Sequence, residues 1–414
     1  MTVESADLVV VGAGTIGSWA AYFAKTSGAG RVIVIERGCA GDGASSRAAG
    51  IVRAQGGTPA AVALGRWSID FYRSQRDRIG TDSGFRELGY LLLAMNERDV
   101  ADGSARVAMQ NAMGVPARWI SPEEALEHNP QLARDSFVGA SYLATDGCID
   151  PPRNVRAYSL AMQQAGVELR EGVAFEGLRL EGGAVTGVET SAGPIVTRMV
   201  ILTGGPTLGE VGELAGVRIP AGAVRHQVAV TEPHAAFSVD RQAMGFDVGA
   251  GLYWRLEEGG LLFGMSNPDE PPGPAREVDW PYLAEMRQRL ATLLPITADL
   301  GLRKAWAATI DYTPDHQPIL GPALDREGAP IGGVTVASPG GHGMMWGPAV
   351  AKIAADLALE GRTALTDLTD LGLDRFDSEG RSRIAADPIA LPFPTSAPAA
   401  HAHPPAGLKL EQNK

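Results

Sequence analysis

Leu8-Val-Val-Val-Gly12-Ala-Gly14-Thr-Ile-Gly17 decides the fold of this 414-residue chain. A short apolar, β-branched run ends at a glycine, and Ile16, Ala20, Phe23 and Ala24 then recur at helical spacing, which predicts strand, tight turn and helix. A second apolar run, Arg31-Val-Ile-Val-Ile-Glu36, follows at once. Continuous Val and Ile mark buried parallel strands, so the two runs predict the opening of a βαβ unit. Glycines at this junction permit the tight turn and let a pyrophosphate approach the positive end of the helix. Glu36 is placed to accept hydrogen bonds from ribose hydroxyls, and its charge repels a ribose 2′-phosphate. The segment therefore predicts a site for an unphosphorylated adenosine dinucleotide, formed by Gly12, Ala13, Gly14, Thr15, Ile16, Gly17, Glu36 and Arg37.

Further along, Met199-Val-Ile-Leu-Thr203 is another such strand, ending in Gly204-Gly205. Gly89-Tyr-Leu-Leu-Leu-Ala94 and the stretch to about Ala144 belong to a different layer. After Pro220 the period changes: Val224, His226, Val228 and Val230 alternate with Arg225, Gln227, Ala229 and Thr231, as in a half-buried antiparallel strand. Tyr253–Leu256 and Leu261–Met265 flank Glu257-Glu-Gly-Gly260, which predicts a hairpin. The fold class expected is α/β, with a Rossmann-like nucleotide domain (1–80, 143–220, 305–386) and a mixed, mainly antiparallel sheet domain inserted in two pieces (81–142, 221–304). The Pro- and Ala-rich tail, 387–414, lacks periodicity and is expected to be disordered.

Ala44-Ser-Ser-Arg-Ala-Ala-Gly-Ile-Val-Arg53 is small, polar and aperiodic, suited to run along an extended cofactor. With Asp146-Gly-Cys-Ile-Asp150-Pro151, the Thr203-Gly204-Gly205 strand end, Thr313-Pro-Asp-x-x-Pro-Ile-Leu-Gly321 and Gly340-Gly-His-Gly343, it resembles the D-amino-acid oxidase family, which includes glycine oxidases, sarcosine oxidases and dimethylglycine dehydrogenases. The resemblance spans most of the chain and implies FAD as the cofactor. It implies that Ser45, Ser46, Arg47, Ala49, Gly50 and Ile51 line the pyrophosphate and flavin, that Val173 offers its backbone to the adenine, and that Thr203 and Gly204 close the nucleotide side. Gly341, His342, Gly343 and Met344 are implied on the flavin side. There a helix N-terminus, signalled by Val350, Ile353, Ala354 and Leu357, favours the negative charge that the ring gains on reduction.

The implied chemistry is hydride removal from the carbon beside an amine nitrogen. It needs a free nitrogen lone pair, an aimed C–H and an anchor for the rest of the substrate. Arg53 resembles the sarcosine oxidase residue that binds the substrate carboxylate, and a structural ion pair would place an arginine there equally well. Tyr253 and Arg255 share one strand face, as a substrate wall or as a solvated surface. His342 is either a backbone contributor or a proton carrier. Ala308 stands where monomeric sarcosine oxidases carry the flavin-linking cysteine, and Arg47 where dimethylglycine dehydrogenases carry a flavin-linking histidine, which implies noncovalent FAD. Leu262 and Met345 replace two lysines of sarcosine oxidases, leaving both oxygen and another electron acceptor open.

The net charge of −12, without any basic run, argues against a nucleic-acid partner and for a small amine or amino acid. Only Cys39 and Cys148 are present, which fits a reducing compartment and excludes a disulfide framework or a thiolate zinc site. Met1 to Ala6 lack a basic start and an apolar core, and no apolar run reaches membrane-spanning length, so a cytoplasmic protein, possible as a homo-oligomer, is expected.

Overall fold

The computed structural model describes residues 4–238 and 241–394; the first three residues and the tail from 395 onward lie outside the described residues. Leu8–Val11 and Val32–Glu36 are adjacent parallel strands joined by the helix Thr15–Thr26, as the opening segment predicts. Val200–Leu202 pairs in parallel with Leu8–Val11 on the other side, followed outward by Pro330–Ser338, while Glu168–Glu171 extends the sheet beyond Val32–Glu36. These strands belong to a sheet of ten. Both of its faces are covered, which explains the unbroken apolar runs. Leu8, Val10, Val32 and Val34 pack under helices Thr15–Thr26, Pro59–Ile79, Pro151–Ala165 and Gly347–Glu360. Val9, Val11, Ile33 and Ile35 pack with Leu208 and Ala215 on the opposite face.

The second layer is an eight-stranded sheet built mainly from antiparallel pairs, while Tyr90–Ala94 and Met244–Asp247 pair in parallel. Tyr253–Glu257 and Gly260–Met265 form the expected hairpin. Glu258 at φ 48° and Gly259 at φ 79° give its two-residue turn the twist that matches the strands. Leu252, Trp254 and Leu256 pack toward the helix Trp280–Leu293, whereas Tyr253 and Leu262 turn to the first domain.

Three expectations are corrected by packing. Residues 226–231 of the strand Gly222–Thr231 are buried on both faces, because the helix Trp280–Leu293 covers one face and the first domain the other. The strand Leu302–Tyr312 remains in the second sheet to its end, past the boundary expected at 304, since it pairs along Gly222–Thr231 from Leu302 to Tyr312. The tail does not become disordered at Asp387: Asp387, Ile389 and Phe393 are buried against both domains.

Candidate active site

A cleft of about 580 Å³ runs between the two sheets. At one end it is made almost wholly of backbone. Gly12 takes φ 96°, and a Cβ on Gly17 would stand 1.9 Å from the Gly12 carbonyl oxygen, so the first strand and the helix approach as only glycine allows. No side chain caps the helix at Gly14, and helix geometry leaves the N–H groups of its first turn without partners inside the helix. Ser45 Oγ accepts the Thr15 N–H at 3.0 Å, pinning the following loop to this helix end. Glu36 Oε2 accepts the Ala13 N–H at 2.9 Å and Oε1 the Gly38 N–H at 2.8 Å, which holds the carboxylate at the cleft edge with further lone pairs to offer. The Val173 N–H is committed to the Glu36 carbonyl at 2.9 Å, so only its own carbonyl remains for a ligand. Glycines that a Cβ would fill and a helix start whose N-cap is a glycine, with Ser45 taking only the Thr15 N–H, fit a pyrophosphate dinucleotide.

Most expected cofactor residues line this cleft: Gly12, Gly14, Thr15, Ile16, Gly17, Glu36, Arg37, Ser45, Ala49, Gly50, Ile51, Val173, Thr203, Gly204, Gly341, His342, Gly343 and Met344. Ala13, Ser46 and Arg47 do not. The Ala13 side chain is buried in the helical core, and the Arg47 guanidinium folds back on the Asp42 side chain and the Gly43 carbonyl because these lie within its own loop. The Arg47 carbonyl instead accepts Trp306 Nε1 at 2.8 Å, tying the loop to the second sheet.

At the other end side chains converge. Arg53 is only 4% exposed, donates from Nη2 to the Ile389 carbonyl at 2.8 Å and from Nη1 to the Gln55 carbonyl, and its charge acts on the buried carboxyls of Asp146 and Asp387 without a direct ion pair among the described residues. Tyr253 lines the cleft, and its hydroxyl meets His226 Nε2 at 2.5 Å; Ser266 Oγ meets Nδ1 at 2.8 Å. Burial pushes the His226 imidazole down to about 4, so near neutral pH it is uncharged and holds the Tyr253 hydroxyl at the cleft wall through a neutral hydrogen bond. Burial, with Arg53 close by, likewise pushes His342 down to about 3. Its ring lies 4.1 Å from that of Trp346, and Nδ1 pairs with the Gly340 carbonyl at 3.1 Å, an arrangement that holds a neutral ring rather than a cationic proton carrier.

Arg255 shares the face of Tyr253 but does not reach the cleft. It pairs with Glu257 and donates to the Ala49 carbonyl at 2.7 Å, so it clamps the loop that lines the cleft instead of forming a substrate wall. The helix expected to start at Gly340–Gly343 starts at Gly347, after a turn closed by the Trp346 N–H on the His342 carbonyl. Asp311 lines the cleft near that turn, with Oδ2 accepting Ser338 Oγ at 2.8 Å, and burial raises its carboxyl above the ordinary carboxylate range. Behind Arg53, burial pushes Asp146 up to about 7 although the Ala54 N–H and Gln55 Nε2 bond it.

Sequence reasoning assigned no role to His226, Tyr90, Asp311, Ile389 or Leu391, all of which line the cleft. The alternation around His226 put it on the face of Val224 and Val228, a usable signal for an inward residue. For Ile389 and Leu391 the surrounding Pro and Ala hid any signal.

Known proteins share this architecture. Over 386 residues the chain is 27% identical to 4-methylaminobutanoate oxidase (formaldehyde-forming) of Paenarthrobacter nicotinovorans, covering 91% of this chain and 46% of that protein, so it spans less than half the relative's length. It is 27% identical over 377 residues to sarcosine oxidase subunit beta of Rhodobacter capsulatus, covering 89% of this chain and 88% of that one. The solved L-proline dehydrogenase from P. horikoshii superposes with a TM-score of 0.80 at 26% identity, over 88% of this chain and 96% of that structure. Residues 7–357 match the family model described as FAD dependent oxidoreductase. With this match, a nucleotide cleft of the right chemistry and a solved relative of the same architecture, the chain belongs to the FAD dependent oxidoreductase family.

Proposed function

We propose that the protein oxidises the C–N bond of an amino acid or N-alkyl amino acid, giving an imine that water hydrolyses. The carrying observation is Arg53: a buried guanidinium on the cleft wall, hydrogen-bonded to two carbonyls, with the Asp146 and Asp387 carboxyls close enough to feel its charge but not bonded to it, can receive a substrate carboxylate directly. FAD, when bound, supplies the acceptor for the hydride. Gly12, Gly14 and the first turn of the helix Thr15–Thr26 would hold its pyrophosphate, Glu36 its ribose, and Ala49–Ile51 with Gly341–Met344 its ring. Arg53 fixes the substrate carboxylate. Tyr253, held by its hydrogen bond to neutral His226, accepts a hydrogen bond from the substrate N–H and orients the nitrogen, while Tyr90, Phe246 and Ile389 exclude water. We read the cofactor as noncovalently held, since Ala308 offers no thiol and Arg47 turns back on Asp42.

Met345 lines the cleft and Leu262 is buried next to it, so neither supplies an ammonium to help reduce oxygen, which favours another electron acceptor. Among the described residues no helix is long and apolar enough to cross a membrane. Cys39 and Cys148 are both free thiols, which supports a reducing, cytoplasmic compartment. A partner subunit is a second reading, favoured by the likeness to a sarcosine oxidase subunit, and native mass measurement tests it along with homo-oligomers.

The deciding experiment is anaerobic mixing of the holoenzyme with sarcosine, dimethylglycine, L-proline, glycine and D-alanine, followed by air. Bleaching of the flavin band by at least one is expected, with slow recovery in air. Bleaching by none would overturn the proposal, and recovery within seconds would make the enzyme an oxidase.

A further inference from the structure

Asp387–Phe393 lies beyond the region that matches the family, yet Ile389 and Leu391 stand in the wall of the cleft. Three distant loops are shaped to receive this strap. A Cβ on Gly57 would stand 2.1 Å from Asp387 Oδ1, one on Gly251 2.4 Å from Pro392 Cδ, and one on Gly341 2.4 Å from Phe393 Cε2. Phe393 anchors it among Val224, Ala308, Ile310 and Tyr312, and its ring meets those of His316 and His342 edge-on. At the near end the Asp387 N–H donates to the Asp315 carbonyl at 3.0 Å, and Asp315 is itself held by a fully buried ion pair with Arg375 at 2.6 Å. The strap is thus fixed at both ends to the body of the protein. Between these anchors the Ile389 carbonyl accepts Arg53 Nη2 at 2.8 Å, and the Ile389 side chain packs with Ile51, Tyr90, Phe246 and Tyr253.

We propose that this C-terminal strap is the specificity-determining wall of the substrate pocket. The Ile389 carbonyl aims the Arg53 guanidinium, and the Ile389 and Leu391 side chains set an apolar surface beside it. The site therefore selects a substrate with one carboxylate and an apolar side chain or N-substituent, and disfavours one whose body carries a second charge. A second charge turned toward Ile389 and Leu391 would lose water there for an apolar surface. This inference rests on Arg53 as the carboxylate anchor.

The test needs no turnover: oxidised holoenzyme is titrated with acetate and with benzoate, and binding is read from the perturbed flavin absorption. Wild type is expected to bind benzoate about tenfold more tightly than acetate, and Ile389→Ala with Leu391→Ala to erase most of that difference while leaving acetate within about twofold. Ile389→Val, which keeps the strap seated, gives a smaller shift in the same direction. Arg53→Met removes binding of both acids. An unchanged benzoate-to-acetate ratio in the strap variants overturns the proposal even if amines bleach the flavin. Strap-dependent carboxylate binding without any amine bleaching upholds it and sinks the C–N oxidation reading instead. No perturbation of the wild-type flavin by either acid overturns strap and anchor together.

Discussion

The two ends of the cleft are built by opposite means. At the nucleotide end, one short stretch from Leu8 to Gly38 supplies strand, turn, helix start and acid, and its ligand-facing groups are mostly backbone. At the substrate end, Arg53, Tyr90, His226, Tyr253, His342 and Ile389 come from six separate segments and meet only through packing. A backbone site is specified by where side chains are absent. A side-chain site is specified by what holds each group in place, and here those supports are carbonyls, buried rings and a strap from the far end of the chain.

The contrast predicts that substitutions at the two ends separate cofactor binding from turnover. Arg53→Met should retain FAD but lower kcat/KM by about a thousandfold, since losing a desolvated charge partner costs roughly 2–5 kcal/mol; steady-state kinetics and flavin content check this together. A Gly17→Ala protein should lose FAD affinity by about a hundredfold, because overpacking costs roughly 1–3 kcal/mol and the new methyl would collide with the Gly12 carbonyl. Flavin retained on gel filtration at the wild-type ratio would contradict that. For Arg255→Met the expected loss is about tenfold in FAD affinity with KM unchanged at saturating FAD, as befits a clamp on the Ala49 carbonyl, whose lost charge-assisted bond is worth about 1.5 kcal/mol. A raised KM there would restore Arg255 to the substrate wall.

The smallest effect concerns pH. Burial pushes His226 down to about 4, below an unfolded value of about 6.5. Between those values the unfolded chain holds a proton that the folded protein refuses, so this residue makes stability fall as pH drops through that window. Asp146 acts with the opposite sign: burial pushes it up to about 7, so folding takes up a proton and stability falls as pH rises toward that value. The wild-type profile sums these with other buried groups, His342 acting with the sign of His226 and Asp311 with that of Asp146. His226→Gln removes one contribution, and its acid-branch slope should be shallower by up to about 1.4 kcal/mol per pH unit in denaturant titrations; equal slopes would mean that the imidazole is not buried neutral.

Periodicity alone reached the parallel sheet, the hairpin and the final helix, because buried strands and helices impose their spacing on contiguous residues. Neither spacing nor resemblance shows which partner a side chain takes. Arg47 and Arg255 sit in segments that border the cleft, but the partners that turn them away are Asp42, Glu257 and the Ala49 carbonyl. The tail reads as disordered by composition, yet Phe393 finds a pocket formed by Val224 and by Ala308, Ile310 and Tyr312 on the paired neighbouring strand.

What the amino-acid sequence determined by itself is the dinucleotide end: glycine spacing, a β-branched strand and an acid at its successor's end are local demands of backbone geometry. The tertiary structure decided the chemistry at the other end, because a buried charge such as Arg53 has no meaning until the carbonyls, neutral histidines and apolar wall around it are assembled.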